Sequence, residues 1–239
     1  DFVKGLDYSM LQGANSTGKW NASSTNSTVF PMYGKVNLKD GVTENMGSID
    51  LPMFRALARL DIGVNFNIDA SAESGPYTEQ AEGLEYFELI DVRVYHTHDK
   101  GYVTPLQEEF HLKPSVYPIE RRKSDQPLHY ELGAENRNAL VREIYVPEAY
   151  APLNQSFEPT IPNDTIHSIV IGGSFKNGKT SYYKLDFAQD GVDRKRTYMP
   201  ILRNHRYLFN IMSVNSPGFD TPEEALKSTS TANLTYQLV

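Results

Sequence analysis

Residues 167–187 constrain the fold of this chain more than any other stretch, because they hold a phosphate-loop motif that their own flanks contradict. Residues 173–180 (GSFKNGKT) match G-x-x-x-x-G-K-[ST] at every position. The motif works when a strand leads in and a helix leads out, so that backbone N–H groups converge on the anion. Residues 167–171 (HSIVI) supply the strand. No helix follows: Ser181, Tyr183, Leu185 and Phe187 alternate with Tyr182, Lys184 and Asp186, the two-residue period of a strand. Asn177-Gly178 between two strands is a tight-turn signal, since both residue types tolerate positive φ. The segment is expected to be a β-hairpin, with no nucleotide bound at Lys179.

The same period recurs along the chain. Phe54, Ala56, Ala58, Leu60, Ile62, Val64, Phe66 and Ile68 share one parity; Arg55, Arg59, Asp61, Asn65 and Asn67 share the other. Eight apolar residues in phase describe a long strand with one buried face, expected to break near Gly63. Residues 86–95 (YFELIDVRVY) give another alternating strand, ended by the turn from His96 to Gly101. Shorter strands are expected at 142–146, 167–175, 180–188 and 198–214, and a last one at Leu234, Tyr236 and Leu238. Residues 70–83 and 105–138 read as connection. Thr221 as N-cap, Pro222 behind it and Glu224 as capping-box acid predict a short helical turn through Leu226. Strands outnumber helices so heavily that the class is all-β, an antiparallel sandwich with few short helices.

Composition narrows the function. The 239 residues can bury a real core, as one large β domain or two ordinary ones. A net charge of −7 argues against nucleic acid as a partner, which demands a basic face. Without cysteine there are no disulfides, thiolate metal sites or cysteine nucleophiles. No apolar run reaches the length of a transmembrane helix. The sequence begins at Asp1 without an initiator Met, signal peptide or lipid-attachment Cys, so it is expected to be a processed piece of something longer. Residues 13–28, rich in Asn, Ser, Thr and Gly around the single Trp20, read as a surface loop. Asn15, Asn21, Asn26, Asn154, Asn163 and Asn233 each head an N-x-[ST] triplet, which polar loops generate by chance more readily than by selection for glycosylation.

No catalytic, cofactor-binding or metal-binding residue emerges. His96 and His98 would share one face of a strand, but a third ligand cannot be named, and a polar strand-end turn is the simpler reading. His205, between Arg203-Asn204 and Arg206, is in phase with Tyr207, Phe209 and Ile211 and reads as a buried, hydrogen-bonded histidine, not a general base. No G-x-S-x-G elbow, dinucleotide fingerprint or kinase signature is present. Neither enzymatic activity nor a cofactor is expected.

Residues 199–211 (MPILRNHRYLFNI) and 213–221 (SVNSPGFDT) resemble the fimbrillin family of Bacteroidales, the subunits of type V pili in the major and minor fimbrillin superfamily. The run from Arg203 to Tyr207 matches that family's late strand, and Pro217-Gly218 its following turn. Residues 30–34 (FPMYG), 57–62 (LARLDI), 87–95 (FELIDVRVY) with Gly101-Tyr102, and 181–187 (SYYKLDF) agree in order and spacing. The likeness spans nearly the whole chain, and the Arg203 to Tyr207 block is its most specific part.

The resemblance implies two transthyretin-like antiparallel β-sandwich domains: an N-terminal one over 1–138, lacking its early strands, and a C-terminal one over 139–239. It implies a structural subunit of a cell-surface fimbrium or pilus, exported as a lipoprotein precursor to the bacterial outer membrane. Such subunits assemble head-to-tail by donor-strand exchange, with other copies or other fimbrillin subunits as partners, and support adhesion to host or bacterial surface ligands. Neither nucleic acid nor a direct membrane span belongs to that picture. An extended segment filling a neighbour's groove supplies ladder hydrogen bonds and alternate side-chain anchors. Because head-to-tail donation does not close, it grows a filament. Alternation makes Leu234, Tyr236 and Leu238 the candidate polymerisation strand, with an ordinary last strand of its own domain the equal alternative. Arg121 and Arg122 mark a candidate protease-exposed loop, against a plain solvated one. Trp20 is a candidate glycan contact for the alternative function, a tip adhesin or surface glycan-binding lipoprotein.

Overall fold

A computed structural model describes residues 31–38, 41–42, 44, 47–68, 77–98, 103–105, 127–135, 137–151, 166–190, 196–228 and 233–239. The elements are β1 (Met32–Gly34), β2 (Met53–Arg55), β3 (Leu57–Val64), β4 (Phe66–Ile68), β5 (Tyr77–Ala81), β6 (Phe87–Tyr95) and β7 (Leu128–Glu131). They continue with β8 (Ala139–Pro147), β9 (Ser168–Phe175), β10 (Thr180–Asp186), β11 (Ala188–Asp190), β12 (Arg196–Tyr198), β13 (Arg206–Val214), α1 (Pro222–Lys227) and β14 (Leu234–Leu238). Two four-stranded sheets carry the core, in the orders β10-β9-β6-β7 and β14-β13-β3-β8. Three two-stranded ribbons, β1-β2, β4-β5 and β11-β12, flank them.

Alternation along each strand builds one buried cluster between the two sheets. Ala58, Leu60, Ile62 and Val64 of β3 meet Leu89 and Val92 of β6, Ile169 and Ile171 of β9, and Phe209 and Ile211 of β13. The outer faces are also covered. Phe66, Ala139 and Leu208 pack behind β3. Ala225 and Leu226 of α1 pack over Tyr95 and Val170. The helix has the predicted cap: the Thr221 hydroxyl accepts from the Glu224 N–H, and the Glu224 carboxylate accepts from the Thr221 N–H.

Strands from both sides of residue 138 share each sheet. β3 lies between β8 and β13, and β6 between β7 and β9. A boundary between residues 138 and 139 would cut both sheets, and the described strands form one sandwich rather than one on each side of that point. Nor is the pairing wholly antiparallel. β13 runs parallel to β3, from Arg206 opposite Arg59 to Ile211 opposite Val64. The connection between them runs through strands of both sheets, β8 of the same sheet included, so no βαβ helix is needed.

Three local expectations shift. The long strand from Phe54 breaks near Gly63 as expected, at Asn65 with φ 56, but also at Ala56. Gly63 stays inside β3, because a Cβ there would overlap the Phe66 ring that folds back over it. β5 and β7 lie in stretches read as connection. In the hairpin of β9 and β10 the turn residues are Lys176 and Asn177, with φ 49 and 58, one position before the expected pair. The Gly178 N–H closes the turn on the Phe175 carbonyl at 2.9 Å. A strand leaves this loop, so the phosphate-loop match is a hairpin.

Candidate functional site

The turn that leads into β13 and the first two residues of that strand carry the block from Arg203 to Tyr207, and four of the five, Arg203, Asn204, His205 and Tyr207, grip different neighbours. Arg203 is buried, although charged. Its Nε donates to Glu148 Oε2 at 3.0 Å, its Nη2 pairs with Glu148 Oε1, and its Nη1 donates to the Val103 carbonyl at 2.7 Å. Removing two charges from water costs several kcal/mol per ion, and only close, fully bonded geometry of this kind offsets it. Asn204 has φ 58; its N–H donates to the Leu57 carbonyl at 3.0 Å, and its Oδ1 accepts from the Arg55 N–H at 3.1 Å. The His205 carbonyl accepts from the Arg59 N–H at 3.0 Å. Asn204 and His205 thus fix the start of β13 beside β3, while Arg203 ties the turn to Glu148 and Val103.

His205 itself is exposed, which corrects the buried histidine expected from alternation. β13 begins only at Arg206, so the period does not reach residue 205. The His205 ring stacks on Tyr207, with its Nδ1 2.8 Å from the Arg203 carbonyl. The Tyr207 hydroxyl accepts from the Leu202 N–H at 2.8 Å and donates to the Pro200 carbonyl at 3.1 Å. Burial pushes the Tyr207 phenol up to about 12, and the Leu202 N–H, which favours the phenolate, counters only part of that.

The candidate polymerisation strand is β14, at the edge of its sheet. It pairs antiparallel with β13 of its own chain, setting Leu238 opposite Phe209, Tyr236 opposite Ile211 and Leu234 opposite Val214. In the described chain it is therefore a last strand of its own sandwich. Met212 is an extra residue on β13 between two ladder pairs, a bulge that pins the register. Leu234 and Leu238 are buried in the shared core, while Thr235 and Gln237 face solvent. The Tyr236 ring stacks on Phe209, which meets Phe187 edge-on at 4.9 Å. Its hydroxyl crosses to the opposite sheet, accepting from the Asp186 N–H at 3.1 Å and donating to the Asp186 carbonyl at 3.0 Å. Tyr236 is a clasp between the sheets.

The neighbouring β10 edge is capped differently. Tyr182 and Phe219 exchange backbone hydrogen bonds of 2.9 Å in both directions. The Gly218 N–H donates to Ser181 Oγ at 2.9 Å, and the Tyr183 hydroxyl donates to the Ser216 carbonyl at 3.0 Å. A Cβ at Gly218 would overlap the Tyr182 carbonyl, so the cap needs glycine there. Burial raises the Tyr183 phenol, with the Ser181 hydroxyl opposing it.

Trp20, Arg121 and Arg122 lie outside the described residues, as do Asn15, Asn21, Asn26, Asn154 and Asn163. Asn233 donates through Nδ2 to the Pro217 carbonyl at 3.0 Å. Lys179 is exposed. His96 turns out of β6 with φ 59, its Nδ1 2.9 Å from the Ile166 carbonyl, whereas His98 lies beside the His167 ring. Among the described residues no group of three or more His, Cys, Asp or Glu side chains is placed to hold a metal ion. No described helix is long and apolar enough to cross a membrane.

No family model matches the sequence, and no curated protein matches it. Solved structures do. The similar structures include fimbrial and cell-adhesion proteins of Bacteroidales. The tip fimbrial protein Mfa3 from Porphyromonas gingivalis, with a C-terminal truncation, is similar at TM-score 0.42 and 15% identity, over 78% of this chain and 52% of that one. A protein assigned to cell adhesion from Parabacteroides distasonis gives 0.42 and 13%, over 79% of this chain and 59% of that one. Another from Bacteroides eggerthii gives 0.45 and 13%, over 97% of this chain and 70% of that one. The chain spans about half the length of the first of these structures.

Proposed function

We propose that this chain is a structural subunit of a bacterial cell-surface fimbrium, exported to the outer membrane, that joins its neighbours by exchanging an extended strand and supports adhesion. The observation that carries this reading is β14. Its ladder partner is β13, on one side, and Leu234, Tyr236 and Leu238 anchor it from one face. An equivalent strand from another copy, or from a related subunit, can take its place while the rest of both sheets stays paired. Like replaces like, so the ladder and the anchors are regained on exchange. Cleavage at Arg121 or Arg122 belongs to this proposal as a trigger that frees a groove. The sequence resemblance from Arg203 to Tyr207 supports the same reading, because that block positions the strand against which β14 lies.

Electron microscopy of the purified chain after limited digestion by an Arg-specific protease tests it. Rods of linked subunits are expected. Digested chains that stay monomeric at high concentration would overturn the reading and favour a tip or binding module.

A further inference from the structure

We infer that the slot beside β13 selects its strand by the pattern Leu-x-Tyr-x-Leu, so that its partner from a second copy is β14 itself. This deepens, and rests on, the strand-exchange reading. The outer positions are read by burial: Leu234 and Leu238 both enter the shared core. The central position is read by chemistry. Backbone N–H and carbonyl of one residue, Asp186, converge on the Tyr236 hydroxyl at 3.1 and 3.0 Å, a donor and an acceptor that only a phenol on this ring satisfies together. Phenylalanine would fill the aromatic space against Phe209 and leave both Asp186 groups without this partner.

Register is read by the bulge at Met212. The pairing steps from Ile211 opposite Tyr236 to Ser213 opposite Thr235, so a slipped strand meets the bulge out of step. A slip of one residue would also turn Thr235 and Gln237 into the core and the leucines out. The slot therefore discriminates against extended segments that are merely hydrophobic. A related subunit that fits it must offer a tyrosine between two aliphatic anchors.

The test uses the full chain with Leu234→Ala and Leu238→Ala, which loosen its own strand, and fluorescent peptides of residues 233–239 (NLTYQLV). The native peptide is expected to be captured. Its Tyr236→Phe form should bind at least about five-fold more weakly. A peptide with Tyr236 and Gln237 interchanged should not bind. If circular dichroism shows that the double variant has not folded, the wild-type chain is annealed with each peptide just below its melting temperature, and the same order of capture is required. Equal capture of tyrosine and phenylalanine peptides, or no capture of either, overturns the inference. Rods that form while the slot captures no peptide would refute this selectivity and leave the fimbrial reading standing. Selective capture with no rods would do the reverse.

Discussion

At the scale of single residues, the Arg203–Glu148 pair is the costliest feature to disturb. Glu148→Gln leaves a buried guanidinium short of its counter-charge, and is expected to lower stability by about 3–5 kcal/mol in urea unfolding. Lys179→Ala, on the exposed hairpin, should stay within about 0.5 kcal/mol and leave no ATP affinity to lose. Tyrosine burial adds a pH dependence. The Tyr207 phenol ionises near 10 when unfolded and at about 12 when folded. Between those values the unfolded state holds fewer protons, so stability is whole below about pH 10 and falls as pH rises towards 12. Tyr95, Tyr145 and Tyr183, also raised by burial, pull the same way. Urea midpoints at about pH 9 and pH 11 should differ accordingly, and Tyr207→Phe should reduce the difference. The Arg203 to Tyr207 block stands out in the sequence, but its work does not. No periodicity says that an arginine goes inside, and its partners Glu148 and Val103 lie 55 and 100 residues away. His205 misleads for the converse reason: its parity fits a strand that has not yet begun.

At the scale of elements, alternation and turn chemistry carry most of what can be read. β6, β10 and β14 fall where apolar residues alternate, β8 and β9 on short apolar runs, and α1 where a capping box and proline coincide. The hairpin turn needs positive φ at Lys176 and Asn177, a conformation that β-branched residues resist. Asn177→Val is therefore expected to cost about 1–2 kcal/mol by urea unfolding, and Asn177→Gly to be close to neutral. β7 escaped because four residues, Leu128 to Glu131, hold only two apolar positions, too few to reveal a period. The break near Gly63 is legible, but its place at Asn65 is not, because glycine in a strand has two uses. Gly63 gives room to the Phe66 ring, and the chain turns two residues later.

At the scale of the whole molecule, the all-β class was legible and the connectivity was not. A resemblance divided the chain at residue 138, but β3 depends on β8 and β13 for both neighbours, and a single buried cluster joins the sheets. Calorimetry of the described sandwich is expected to show one cooperative transition, whereas two would revive a boundary there. Parallel pairing of β3 with β13 leaves no local signature either, since it joins segments far apart in sequence. Whether β14 passes between copies is tested most directly by cysteine pairing, because the chain contains no cysteine of its own. Ser213 and Thr235 face each other across β13 and β14. Chains carrying only Ser213→Cys are mixed with chains carrying only Thr235→Cys, treated with the Arg-specific protease and oxidised. A disulfide joining the two kinds of chain is predicted. Mixed chains that remain unlinked, while a chain with both cysteines closes the bond internally, would contradict strand exchange.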